Sequence, residues 1–270
     1  GEAMLRRVPG YSVVADEIHN SGLRDVFGLM GEGNLDLLCD LQERYGIRYV
    51  GSRHDAGAVS MAVGYANATG GFGLATLTYG PAIANCIGAI ISAVRSSAQI
   101  LILTSHNPVD DWKNLQRMDQ EALIAGSEAT LITIDRPEDV QHAVSRAFSL
   151  IARIRKPVVL SFLASLMRED VPVADGPPPE EPQPALPAID EGQFQQYEAA
   201  LGGAKRPAIL IGRGAVLAGA VPSLLKLAER LNAVVTTSLL AAGAAEGNER
   251  SLGVCGGFGS PRTKKILKHA

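Results

Sequence analysis

Asp55 is the acidic residue best placed to do chemistry. It stands in Tyr49-Val50-Gly51-Ser52-Arg53-His54-Asp55-Ala56-Gly57-Ala58-Val59, where a short strand-like run gives way to a helical one. A carboxylate at such a junction has two readings. It can cap the helix, held by free N–H groups and the helix dipole. It can also be an acid–base group at the edge of a sheet. Spacing alone favours the cap. His54 reads as a packing or hydrogen-bonding residue. His106, in Thr104-Ser105-His106-Asn107-Pro108, follows an apolar run and is either a loop histidine or a polar group at the same edge. No Ser-His-Asp order and no metal-binding histidine pair is apparent in the sequence.

Glycines mark further turns. Gly28, Gly31 and Gly33 in Phe27-Gly28-Leu29-Met30-Gly31-Glu32-Gly33-Asn34 lie between a strand and a helix, the edge at which open α/β sheets take ligands. Their spacing is not GxGxxG, and no P-loop lysine follows. Gly70-Gly71-Phe72-Gly73 reads as a structural entry to a strand. Gly212-Arg213-Gly214 and Gly256-Gly257-Phe258-Gly259 follow or resemble strand ends and read first as turns, second as phosphate cradles.

Alternating elements must position these residues. Apolar periodicity predicts helices near 13–18, 35–45, 56–68, 81–94, 121 and 137–152, with Pro81 in the first turn of its helix. Strands are predicted at 25–29, 47–50, 73–78, 100–104, 130–133 and 158–162. Six strands separated by helices imply a doubly wound parallel sheet of α/β class. Residues 171–187, with Pro177-Pro178-Pro179, read as an extended linker. A second unit follows, with helices near 193–201 and 216–231, strands at 207–211 and 234–237, then a glycine-rich loop and a basic helix. Two strands are marginal as a sheet, so the chain is expected to stop inside this second α/β domain. The expected domains are 4–170, a linker 171–188, and 189–270.

Composition agrees with a helix–sheet protein: 46% of the 270 residues are hydrophobic and only 5% aromatic. The net charge of −3 gives no reason to expect nucleic acid or an acidic membrane as partner. Lys264, Lys265 and Lys268 read as a solvated helix face. Cys39, Cys86 and Cys255 are far apart and read as reduced, mostly buried thiols in a cytoplasmic protein. No signal peptide or membrane-spanning run is expected. Gly1-Glu2-Ala3 before Met4 reads as a cloning remnant, placing the expected native start at Met4.

The ordered set Phe27 to Asn34, Arg53 to Tyr65, Thr78-Tyr79-Gly80-Pro81 with Asn85, Ile100 to Pro108, Asp119-Gln120-Glu121-Ala122 and Lys156 to Leu160 resembles the N-terminal, pyrimidine-binding domain of thiamine-diphosphate enzymes of the acetolactate synthase and benzoylformate decarboxylase group. Arg206 to Gly214, Leu239 to Asn248 and Gly253 to Ser260 resemble that family's central domain. The resemblance covers nearly the whole chain.

It implies a lyase or carboligase acting on a 2-oxo acid, with thiamine diphosphate and Mg²⁺ as cofactors. It implies that Asp55 takes the position of the acid that bonds the pyrimidine N1′ and switches the cofactor on, a position usually held by glutamate. It further implies cofactor-binding roles for Gly31, Glu32, Gly33, Thr78, Gly80, Pro81 and Asn85, and a substrate-facing role for His106. The diphosphate and metal site belongs to a third domain with a Gly-Asp-Gly motif that this sequence lacks. The chain alone is therefore expected to be inactive and to bind the cofactor weakly. In some members the central domain holds a flavin or another nucleotide. The family's active site forms between subunits, so a homodimer or dimer of dimers is expected, paired through the helix at 81–94.

Two departures matter. Aspartate is shorter than glutamate by about 1.5 Å, and a misplacement of about 1 Å can cost about a hundredfold in rate. The family's Gly-Pro-Gly reads Gly80-Pro81-Ala82, which adds a methyl where backbone would approach the ring. These departures feed the alternative expectation, a catalytically silent homologue acting as a binding or regulatory subunit.

Overall fold

The computed structural model describes residues 6–174, 176, 188 and 190–270. The chain divides into two compact units, Gly1–Pro184 and Ala185–Ala270.

In the first unit, β1 (Arg6–Pro9) leads into α1 (Gly10–Asn20), β2 (Asp25–Gly28), α2 (Leu35–Tyr45), β3 (Arg48–Gly51), α3 (Asp55–Thr69), β4 (Gly73–Thr76), α4 (Pro81–Arg95), β5 (Ile100–His106), α5 (Gln120–Ala125), β6 (Thr130–Ile134), α6 (Ala143–Ile154), β7 (Val158–Leu163) and β8 (Asp170–Val173). Six of these strands form a parallel sheet in the order β3-β2-β4-β5-β7-β6. This is the doubly wound sheet expected.

The strands alternate their side chains between two cores, as a pleat requires. Leu101 and Leu103 of β5 join α1, α2 and α6 on one face, whereas Ile100 and Ile102 join α3 and α4 on the other. Burial on both faces explains why β5 reads as a continuous apolar run. The order also fixes the ligand edge. The chain reverses direction across β2 and β4, so the crevice between their C-terminal ends is a topological switch point.

Several sequence expectations need correction. Residues 171–173 are not linker: they form most of β8, antiparallel to β1, with Val8 opposite Val171. Val171 is fully buried, and Pro172 is tolerated because this two-stranded pair has open edges. The expected linker residues Pro177, Pro178 and Pro179 lie outside the described residues. The helix expected at 137–152 begins instead as a single 3₁₀ turn, Pro137–Asp139, and restarts as α6 after His142, whose φ is +68°.

The second unit contains α7 (Glu191–Gly202), β9 (Ala208–Ile211), α8 (Arg213–Leu217), α9 (Val221–Arg230), β10 (Val234–Thr237), β11 (Ser251–Val254) and α10 (Pro261–Leu267). Three strands, not two, form a parallel sheet in the order β11-β10-β9. β11 read as a loop because it carries a bulge: its register with β10 slips between Val235 and Thr237, and Gly253 takes φ +72° there. The single helix expected at 216–231 is two, separated at Gly219 with φ +66° and restarted by Pro222.

Candidate functional site

Two turns meet at the switch point. The turn after β2 is tied to the turn after β4: the Gly33 N–H donates to Thr78 Oγ1 at 3.2 Å, and Tyr79 OH donates to Glu32 Oε2 at 2.9 Å. Asn34, 3% exposed, holds the first turn from beneath, accepting from the Gly31 N–H at 2.8 Å and donating to Leu29 O and Thr76 Oγ1. The glycines are needed for closeness. A Cβ on Gly31 would lie 2.8 Å from Thr78 Cβ, and one on Gly33 would lie 2.8 Å from Tyr79 Cδ1. Their hydrogen faces are thus filled by the neighbouring turn.

Gly80 ends the second turn with φ +67° and ψ −118°. A Cβ there would lie 1.8 Å from Gln116 O. Its N–H donates to Gln120 Oε1 at 2.5 Å, and Gln120 Nε2 donates to Ser105 O at 3.1 Å. Pro81 then occupies the first turn of α4. Ala82 is 5% exposed and packs in the core beneath α3 and α4.

Asp55 opens α3 without capping it. The cap is His54, whose Nδ1 accepts from the Ala56 N–H at 3.2 Å. Asp55 is 5% exposed. Its Oδ2 accepts from Asn85 Nδ2, on α4, at 2.9 Å, and its Oδ1 is buried with no hydrogen-bond partner. An unsatisfied buried acceptor costs about 1–3 kcal/mol, more when charged, so this oxygen is a standing demand for a donor. Burial, and then the Asp55 charge, push the adjacent Cys86 thiol up to about 12.

His106 faces a different set of partners. It is the last residue of β5. Its Nδ1 lies 2.9 Å from Ser161 Oγ on β7, and its Nε2 lies 2.9 Å from Asp135 Oδ1, just after β6. The strand order β5-β7-β6 turns this ring away from β4, and no hydrogen bond joins it to Asp55. The fold thus assembles an Asp-His-Ser chain that the sequence order did not reveal. Ser161 is only 1% exposed within the sheet, which denies it the access a nucleophile needs.

Gly31, Glu32, Gly33, Thr78, Gly80 and Pro81 therefore sit on adjoining turns. α4 carries the chain from Pro81 to Asn85 and so to Asp55. Sequence reasoning missed Asn34, Gln120, Asp135 and Ser161 as organisers of this edge. Gln120 had a signal, since it lies in a matching stretch. Asn34 had the same signal, whereas Asp135 and Ser161 act across strands and had none. Asn107 Nδ2 is also buried without a partner.

Among the described residues, no group of three or more His, Cys, Asp or Glu is placed to hold a metal ion. No helix among them is long and apolar enough to cross a membrane. In the second unit, Gly212 precedes α8 and Gly256 has φ +74° after β11. Thr237, at the end of β10, keeps a buried hydroxyl without a partner.

Comparison with known proteins bears on this edge. Residues 9–123 match the family described as thiamine pyrophosphate enzyme, N-terminal TPP binding domain, and residues 195–270 match thiamine pyrophosphate enzyme, central domain. The large subunit of acetolactate synthase from Haemophilus influenzae is 28% identical over 267 residues, covering 95% of this chain and 46% of the relative. The probable 2-ketoarginine decarboxylase AruI of Pseudomonas aeruginosa is 30% identical over 253 residues, covering 90% and 42%. A sulfoacetaldehyde acetyltransferase from Rhodobacter capsulatus is 26% identical over 224 residues, covering 82% and 37%. The chain spans about half the length or less of these curated relatives. The two family matches, lying in order on the two α/β units, place this chain among the thiamine pyrophosphate enzymes, with a TPP-binding N-terminal domain and a central domain homologous to those of acetolactate synthase family enzymes.

Proposed function

We propose that the chain is the pyrimidine-binding and central part of a thiamine-diphosphate-dependent lyase or carboligase acting on a 2-oxo acid, in the manner of acetolactate synthase. The observation that carries this reading is the Asp55 carboxylate. It begins a helix at the ligand edge yet does not cap it, and its Oδ1 is buried without a donor.

When bound, thiamine diphosphate supplies the electron sink that lets a 2-oxo acid lose carbon dioxide. Asp55 would accept a hydrogen bond at Oδ1 from a ring nitrogen of the bound pyrimidine, and so would tune the acid–base chemistry that the cofactor supplies. The turns that carry Gly31, Gly33 and Gly80 would border the ring, and the Glu32–Tyr79 bond keeps the two turns together. The diphosphate and Mg²⁺ would be held by residues other than the described ones. The active unit is a homo-oligomer, dimer or dimer of dimers, paired through α4.

A second reading, a catalytically silent subunit, draws support from the short, deeply set aspartate. The full-length protein with thiamine diphosphate and Mg²⁺ separates the two. Cofactor-dependent release of carbon dioxide from a panel of 2-oxo acids, abolished in Asp55→Ala and retained or raised in Asp55→Glu, is the expected result. Release that persists unchanged in Asp55→Ala removes the role assigned to Asp55. No cofactor-dependent release by the wild type favours the silent subunit.

A further inference from the structure

Among the described residues, Asp55 accepts a side-chain hydrogen bond from Asn85 alone. Its own helix does not engage it, because His54 Nδ1 already takes the Ala56 N–H. Asn85 does, from α4, through the 2.9 Å bond of Nδ2 to Oδ2. Asp55 is buried and Asn85 is exposed, so the bond ties a deep acid to a surface amide.

We infer that Asn85 is a positioning residue for Asp55: by engaging Oδ2 it makes Oδ1 the oxygen presented to a ligand's donor. This rests on the reading of Asp55 as the acid that contacts the cofactor. The chemistry of the pair favours it. A carboxylate's two oxygens are equivalent until something distinguishes them. A carboxylate at a helix start is drawn toward the N-terminal N–H groups. Without the Asn85 donor nothing distinguishes the two oxygens, and the side chain is free to turn so that Oδ1 is no longer the one presented. A neutral amide prevents this without adding the counter-charge that a lysine or arginine would bring. The aspartate makes the device more important. Its short side chain leaves little latitude for correcting a poor orientation, and errors of about 1 Å at such a contact are costly.

The test uses full-length wild type, Asn85→Leu, Asp55→Ala and the double variant, with thiamine diphosphate affinity measured by calorimetry in the presence of Mg²⁺. Leucine keeps the branched shape and heavy-atom count of asparagine and removes its donor. Asn85→Leu is expected to weaken binding about tenfold, equivalent to ~1.4 kcal/mol, when Asp55 is present, and to have no effect in the Asp55→Ala background. Asn85→Gln, which keeps an amide donor, is expected to recover part of the loss. Equal weakening in both backgrounds would mean that Asn85 acts without Asp55 and overturns the inference, as does no weakening in either. If the wild type binds no thiamine diphosphate, the functional reading fails by itself. The positioning role is then decided by the unfolding equilibria of the same four proteins. A coupling of about tenfold in the unfolding constant supports it, and additivity refutes it.

Discussion

Glu17, on α1, closes the first turn of α6 through Ser145, 128 residues away: its Oε2 accepts from the Ser145 N–H at 2.9 Å and from the Ser145 hydroxyl at 3.3 Å. Oε1 accepts from the His142 N–H. α6 lacks a side-chain cap of its own, so a carboxylate from another helix satisfies its free donors.

This carboxylate should leave a signature in stability against pH. Glu17 is 9% exposed. Burial raises its pKa above the ordinary 4.5, outweighing the Ser145 and His142 hydrogen bonds, which pull it down. The folded state then holds the proton more tightly than the unfolded one. Its contribution is fully present below about pH 4.5 and is lost as pH rises through the folded pKa. Denaturant unfolding of wild type and Glu17→Gln across that range should show the wild-type advantage shrinking as pH rises. An advantage that grows with pH would mean that the hydrogen bonds, not burial, govern Glu17.

Gly80 and Gly64 should respond oppositely to alanine. At Gly80 the new methyl meets Gln116 O at 1.8 Å, with φ at +67°. The left-handed backbone alone costs about 1–2 kcal/mol, and the clash adds to it. At Gly64, inside α3, a Cβ meets nothing within 4 Å. There alanine should stabilise by about 0.4–1 kcal/mol through the unfolded chain. Chemical denaturation of the two variants checks both signs. A tolerated Gly80→Ala would show that the 107–119 loop does not pack against this turn.

What could be read from the sequence was local. The apolar run 100–104 announced β5, Pro81 announced α4, and the Asp55 stretch announced a strand-to-helix junction. What could not be read depended on distant partners. The capping of α6 needs Glu17 from another helix. The partners of His106 follow from the order β5-β7-β6, which places residues 135 and 161 beside residue 106 and leaves no local trace. β11 was hidden because Gly253, which breaks a strand pattern, occupies a bulge that the strand requires. His54 reads as a packing or hydrogen-bonding residue, and its ring is the cap that leaves Asp55 unengaged by α3.

His106→Ala should act on the scaffold. The ring bridges Ser161 and Asp135, and its loss leaves the buried Ser161 hydroxyl with only the longer 3.5 Å approach of Gln120 Nε2. Losing such a buried partner costs about 1–3 kcal/mol. The denaturation midpoint should therefore fall, and His106→Gln, which can still reach one partner, should recover part of the loss. An unchanged midpoint together with impaired use of a 2-oxo acid would return His106 to the substrate-facing role that the family resemblance implied.

The thiols offer a test of how α3 and α4 pack around Asp55. Cys39 is exposed, whereas Cys86 is fully buried on α4 beside Asn85. Burial and the Asp55 charge push the Cys86 thiol up to about 12. At pH 8 a thiol titrating there presents only about one thiolate in ten thousand, and thiolate is the reactive form. Alkylation mapped by mass spectrometry should therefore modify Cys39 readily. Cys86 should react more than about a hundredfold more slowly until denaturant is added. Asp55→Asn removes the neighbouring charge but not the burial, so it should quicken Cys86 only slightly. Ready labelling of Cys86 in the native wild type would mean that α4 does not seal this region. The buried, singly held state of Asp55 would then fall with it.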